Sequence, residues 1–285
     1  MRFRTKPLLL VTVLVAQLLL APATRAADRP IVWFPVGPGA EGSIFTRATT
    51  SDPFELEASG PTGIEFALVN VEPGGTTGLM PRPGITVMSV VEGVATVFSS
   101  DGATCGTRTV NTGFALIERS GSGTEIRNDG KTPLALYTVT FTPEAPGTAP
   151  LSAGSCKASA SKQASVAVLT RAVVAGPLAV ESKGASDVYM GAARFAGHGI
   201  IPWHVQHRPL FGAVAEGALT VDLASSDRCQ TGVFPAGAGF HEPAQTVHDV
   251  KNESSAPALF YYVAFAPTPV PFLAPSASPR QCEGS

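Results

Sequence analysis

Slid along itself by 124 positions, the chain meets a second copy of itself. Thr46-Arg47-Ala48 falls on Thr170-Arg171-Ala172, Glu92-Gly93 on Glu216-Gly217, Cys105 on Cys229 and Asn128 on Asn252, and the run 136–143 falls on 260–267. So many landmarks at one offset predict two homologous domains in tandem. The stretch between them, PEAPGTAPLSAGSCKASASKQAS from Pro143 to Ser165, is too rich in Pro, Ala, Ser and Gly to supply a core. The expected division is therefore 27–156 for the first domain and 157–285 for the second. With 29 glycines, 25 prolines and few charges, the chain favours turns and strands over long helices. The runs Thr86 to Val91, Ala95 to Phe98, Leu134 to Phe141, Ala218 to Leu223 and Ala258 to Phe265 are rich in branched and aromatic residues and read as strands, so the expected class is all-β.

Residues 1–26 stand outside the repeat. Arg2, Arg4 and Lys6 precede an apolar run from Leu8 to Leu20, and small residues lead to Ala26. This is the pattern of a secretory signal peptide, and the run is short for a membrane span of about 20 residues. An uncleaved anchor is the alternative, since anchors also follow positive charge. Cleavage after Ala26 would remove four of the 20 basic residues and none of the 22 acidic ones, leaving a mature net charge of −6. A nucleic-acid partner is not expected of such a chain, and no second apolar stretch reaches spanning length, so no membrane association is expected after cleavage. The expected location is secreted or extracytoplasmic.

The four cysteines follow the repeat, one after the central hairpin of each copy and one near its end. Pairing Cys105 with Cys156 and Cys229 with Cys282 keeps each bridge within its own domain, as expected in an exported protein. No CxxC spacing suggests zinc.

All five histidines, His198, His204, His207, His241 and His248, lie in the second copy. They fall in GIIPWHVQHRPLFGAVAEGALTV from Gly199 and in PAGAGFHEPAQTVHDVKN from Pro235 to Asn252. These windows resemble the two motifs of the cupin superfamily: a glycine, an HxH pair and a downstream glycine, then PxG, a histidine and an asparagine. The resemblance spans both repeats and implies a bicupin, that is, two tandem double-stranded β-helix barrels of the cupin or jelly-roll kind. Carried over residue by residue, it matches His204 to the first metal histidine, Glu216-Gly217 to the following turn, Pro235-Ala236-Gly237 to PxG, His248 to the second-motif histidine and Asn252 to the asparagine.

Strand parity supports the match, because residues i and i+2 share a face. His204 and Gln206 then point into the barrel and His207 points out, while His248 closes the site from a neighbouring strand. The expected ligands are His204, Gln206 and His248, and a bulge before Pro209 would make His207 the alternative third ligand. The chain departs from the pattern in two places: Gln206 holds the second histidine position, and Leu210 and Phe211 stand where a carboxylate ligand is expected. Imidazole nitrogens suit Mn, Fe, Zn, Ni or Cu. In the first copy the equivalent positions are Met80, Arg82 and Thr124, which hold no divalent cation, so that barrel is expected to be metal-free. Arg82 is a candidate for binding an anionic ligand, or else is an ordinary solvated or ion-paired residue.

His198 in a Gly-His-Gly turn and His241 next to Phe240 read as structural. Trp203, Phe211, Phe234, Phe240 and Tyr262 either line an apolar pocket or form core. Three functions remain open on the sequence. The first is a metal-dependent cupin acting on a small oxygenated molecule, as an oxidoreductase or isomerase. The second is a non-catalytic module that binds a small ligand. The third is a structural protein. Oligomeric state is not readable.

Overall fold

The computed structural model describes residues 31–100, 104–143, 159–182, 184–266 and 273–282. The expected signal peptide, most of the linker and Cys156 lie outside these residues. The first copy forms β1 (Phe34–Gly37), β2 (Ala40–Thr50), β3 (Phe54–Ala58), β4 (Thr62–Pro81), β5 (Ile85–Glu92), β6 (Val94–Ser100), β7 (Cys105–Asn111), β8 (Ala115–Glu118), β9 (Gly123–Arg127) and β10 (Leu134–Pro143). The second repeats the order as β11 (Lys162–Val174), β12 (Leu178–Ser182), β13 (Ser186–Phe195), β14 (Ile200–Gln206), β15 (Leu210–Glu216), β16 (Ala218–Ala224), β17 (Cys229–Pro235), β18 (Ala238–Glu242), β19 (Val247–Lys251) and β20 (Ala258–Ala266). It closes with β21 (Leu273–Pro275) and a 3-10 turn at Arg280–Cys282. The molecule is all-β, two double-stranded β-helix barrels in tandem, and each predicted run lies on a strand.

The tight turns that lead from β5 into β6 and from β15 into β16, strands that pair with different neighbours, are made at Gly93 and Gly217, with φ of 77° and 72°. A glycine enters this left-handed region without the steric cost a Cβ brings. The repeat thus conserves its turn chemistry between copies, and with it the strand register.

The opening strands of the two copies are exchanged. β2 pairs along its length with β13 of the second copy, from Thr50↔Ser186 to Ala40↔Phe195. Reciprocally, β11 of the second copy pairs with β4 of the first, from Val174↔Thr62 to Ala164↔Val71. β3 and β12 pair antiparallel across the same junction. One sheet therefore runs through both barrels, in the order β1-β2-β13-β20-β15-β18-β11-β4-β10-β5-β8.

Alternation along these strands divides the apolar residues among three cores. On β10, Val139 and Phe141 face the junction between barrels, whereas Leu134 and Leu136 face the interior of the first barrel. The junction is built from repeat-related residues, Ile64 with Val188 and Phe141 with Phe265 among them. Phe54 stacks on Phe265 with centroids 4.2 Å apart, and Phe141 meets Phe211 edge-on at 4.9 Å. Each such fully buried side chain contributes about 1.5–3 kcal/mol of transfer free energy, so this junction is a core in its own right. In the second barrel Cys229 and Cys282 form the expected bridge, with Cα atoms 5.0 Å apart. Cys105 is also disulfide-bonded, and its expected partner Cys156 lies outside the described residues.

Two buried asparagines pin the equivalent loop of each barrel. The Asn252 amide donates to Ala196 O (2.9 Å) and Ala256 O (2.6 Å), and its oxygen accepts from the Ser254 amide (3.1 Å). Asn128 repeats this with Val71 O, Thr132 O and the Gly130 amide. Both are 1% exposed, so the asparagine matched to the second cupin motif serves the turn.

Candidate functional site

β14 and β19 pair antiparallel with His204 opposite His248. The two imidazole centroids are 4.2 Å apart with ring planes at 61°. Both rings are buried, His204 at 6% exposed and His248 at 0%, and each is held in the same way by its own strand. His204 Nδ1 lies 2.8 Å from Pro202 O, and His248 Nδ1 lies 3.0 Å from Thr246 O. A carbonyl oxygen only accepts, so each Nδ1 carries the hydrogen and donates it. In the neutral rings this leaves Nε2 as a lone pair aimed inward, the tautomer a metal requires. Gln206, two residues beyond His204, follows it into the barrel and is 3% exposed.

The structure supplies the carboxylate that the first motif lacks. Glu242, at the end of β18, is 2% exposed and places Oε2 3.1 Å from His248 Nε2. In register it stands directly opposite Leu210, one of the two positions where the sequence pattern expects an acid. The donor has moved to the adjacent strand without leaving the site. The expectation that the site lacks a carboxylate is therefore corrected. Glu118, at the repeat-equivalent position of the first copy, is 6% exposed and is the signal in the sequence that this position is an interior one.

Three atoms of this cluster, Gln206 Oε1, Glu242 Oε2 and His248 Nε2, are buried without a well-aligned hydrogen bond, and the last two face each other at 3.1 Å, an ion pair when the imidazole is protonated. An unsatisfied buried polar atom costs about 1–3 kcal/mol, which a proton shared by Glu242 and His248, or a bound cation in its place, would relieve. The 3.1 Å between Glu242 Oε2 and His248 Nε2 suits one. Two donors about 2.1 Å from a shared ion stand about 3.0–3.4 Å apart at angles from octahedral to tetrahedral. Among the described residues no three or more His, Cys, Asp or Glu are arranged as a group that could hold a metal ion, so any such site here would have to draw on the Gln206 oxygen as well. Without a metal, a proton takes its place. Burial opposes charge on His248, but the Glu242 carboxylate outweighs this and holds the imidazole above its ordinary value. Burial likewise lifts Glu242, and His248 overrides it and holds the carboxyl below the usual range. His204 is pushed down, first by burial and then by His248.

The remaining predicted residues divide clearly. His207 faces outward, its Nδ1 3.2 Å from the Gln245 amide, and does not join the cluster. His198 occupies its turn at φ 60°, and His241 stacks on Phe211 at 4.8 Å on the junction side of the sheet. Of the aromatic candidates Tyr262 lines the cavity, Phe211 belongs to the junction, and Phe240 and Phe234 pack in the barrel core. Pro235-Ala236-Gly237 connects β17 to β18 and does not lead directly into β19, which carries His248. The turn into β19 is Pro243–Thr246, where Gln245 takes φ 62° and its amide donates to Gln206 O at 2.8 Å.

In the first barrel Met80 pairs with Thr124, as His204 does with His248. Glu118 is held by hydroxyls, from Ser99 at 2.7 Å and Thr124 at 3.3 Å. Arg82 is 7% exposed, and burial lowers its pKa to about 10 while Glu118 and Glu65 oppose that fall. One of its terminal nitrogens reaches the Met88 sulfur at 3.7 Å, and its Nε has no partner. Arg82 lines a cavity of about 230 Å³ with Glu65 and Thr138. A thioether, a guanidinium and a hydroxyl in place of two imidazoles and an amide oxygen are no donor set for a divalent cation.

No protein-family model and no curated protein matches the chain. Solved structures resemble it in fold. Oxalate oxidase in complex with the substrate analogue glycolate is similar at 26% identity over 30% of this chain and 45% of that one, with a TM-score of 0.28. Oxalate decarboxylase of Lactobacillus farciminis is similar at 14% identity over 80% and 88% of the two chains, TM-score 0.36. AerE from Microcystis aeruginosa is similar at 12% over 82% and 96%, TM-score 0.32. The chain thus aligns with less than half of the oxalate oxidase. These likenesses concern the arrangement of strands, and the site stands on its own geometry.

Proposed function

We propose that the chain is an exported protein of the cupin superfamily whose second barrel binds one divalent transition metal through His204, Gln206, Glu242 and His248. The supporting observation is the buried Glu242–His248 pair, 3.1 Å apart, beside Gln206 and a second imidazole whose Nδ1 is held by a carbonyl so that Nε2 is left as the lone pair. Manganese, iron, zinc, nickel and copper all accept such a mixed nitrogen and oxygen set. A bound metal supplies Lewis acidity toward an oxygen of a small substrate, the chemistry of a metal-dependent oxidoreductase or isomerase. The chain's own residues do the rest. Pro202 O and Thr246 O orient the imidazoles, Glu242 balances charge, and apolar walls restrict water. The first barrel serves as scaffold, and Arg82 is its candidate contact for an anion. Export rests on residues 1–26 and on the Cys229–Cys282 bridge, which favours an oxidising compartment.

Elemental analysis of the purified mature protein tests this reading. About one equivalent of metal is expected, falling to background in the His204→Ala/His248→Ala variant. A full complement of metal retained by that variant refutes it. Chelation of wild type should also lower thermal stability. A ligand present at about 100 times its Kd contributes about 2.7 kcal/mol, which at about 2–4 °C per kcal/mol is a fall of about 5–11 °C. A second reading, non-catalytic ligand binding, is favoured by the cavity lining, where Glu242 is the one carboxylate and already faces the ligand cluster. Turnover by the metal-loaded protein would decide against it.

A further inference from the structure

The cavity above the cluster measures about 180 Å³. Its walls are Leu210, Val250 and Phe260 from the barrel and Phe34, Val36 and Ile44 from the exchanged strands of the first copy. Phe34 and Ile44, 41% and 43% exposed, form an apolar rim. The polar groups that reach the cavity are His204, Gln206, Glu242 and the Tyr262 hydroxyl, which already donates to Ser43 O at 3.3 Å. No lysine or arginine is among the described residues that line it.

Charge then limits the guest. A divalent ion, one carboxylate, two neutral imidazoles and a neutral amide sum to +1. A neutral molecule or a monoanion enters such a site without leaving unpaired negative charge. A dicarboxylate leaves one charge uncompensated against apolar walls, at a cost of several kcal/mol. An apolar cavity of about 150 Å³ accommodates benzene, so the space here suits a body of about six to eight heavy atoms.

Building on the metal reading above, we propose that the second barrel selects small molecules carrying at most one negative charge, with an oxygen-bearing head toward the metal and an apolar body against Phe34, Val36 and Ile44. The test uses two probes with the same chelating head, 2-hydroxy-3-methylbutanoate and malate, in which an isopropyl group is exchanged for a second carboxylate arm. Each is titrated calorimetrically into the manganese-loaded full chain, with the manganese paramagnetic resonance spectrum as a second readout. Manganese content is measured first. The 2-hydroxy-3-methylbutanoate is expected to bind at least 30-fold more tightly than malate. Ile44→Arg, at an exposed position, is expected to narrow or reverse that ratio by giving the second carboxylate a partner. Equal or tighter malate binding by wild-type protein that carries one equivalent of manganese overturns the proposal and leaves the metal site standing. A chain that takes up no manganese or other divalent metal removes the metal reading and this inference together.

Discussion

Replacing Glu242 by glutamine keeps the shape of the side chain and removes its charge, which isolates what the carboxylate does to His248. With Oε2 3.1 Å from Nε2 and both residues buried, the attraction between carboxylate and imidazolium is about 5 kcal/mol at an effective dielectric constant of about 20. That attraction is what holds the imidazole up against burial, and the amide of glutamine does not supply it. In the metal-free protein His248 titrates above its ordinary 6.5. Glu242→Gln should bring it below that value, where burial alone would place it. Imidazole resonances followed by NMR through a pH titration of the metal-stripped protein measure this directly. Stability should follow with a definite sign. A raised imidazole stabilises the fold fully below pH 6.5 and loses this as pH climbs through its folded value. A depressed carboxyl stabilises above pH 4.5 and loses this as pH falls through its own. The metal-free wild type should therefore gain most over Glu242→Gln between about pH 4.5 and 6.5. Metal affinity in the variant should fall at least 100-fold. A His248 titration moved by less than half a unit would refute the claim that Glu242 faces it as an ionised group.

Four further substitutions test the scaffold. Asn252→Ala removes four hydrogen bonds at about 1 kcal/mol each, so denaturant unfolding should show a loss of about 4 kcal/mol. Asn128→Ala, which removes three, should cost about 3 kcal/mol, and the two losses should add in the double variant because their loops share no partner. Asp249 is held at about pKa 6, by burial first, with Lys251 pulling it down and Asp222 pushing it up. Its charged form costs stability as pH rises from 3.8 through 6, so Asp249→Asn should stabilise the protein at pH 8 and be near neutral at pH 3.5 in thermal melts. Gly191→Ala places a methyl group against Ser43 O and the Tyr262 hydroxyl, in the middle of the β2–β13 pairing. It should cost more than about 2 kcal/mol in urea titration.

Local chemistry made the fold legible. Runs rich in branched and aromatic residues such as Leu134 to Phe141 announce strands, the Glu-Gly turns recur at the repeat offset, and parity alone sends His204 and Gln206 inward and His207 outward. Two features were hidden for physical reasons. The exchange of β2 and β11 is invisible because Ile44 and Val168 hold the same place in duplicated units, so either strand suits either barrel. Glu242 was hidden because its nearness to His248 is a matter of cross-strand register, six residues away in sequence and opposite Leu210 in space. Reading Glu118 and Glu242 together as paired acids in apolar surroundings is the route by which the sequence alone reveals it.

The crossing over of the opening strands ties the fate of one half to the chemistry of the other. Residues that border the histidine-bearing chamber are encoded in the half that has no histidine, so substitutions at Phe34, Val36 or Ile44 act at a distance in the gene on selectivity in the sister lobe. A half without donors of its own thereby serves as lining for its neighbour. Expressing either half separately would yield an open sheet missing its first member, with its greasy chamber bared to solvent.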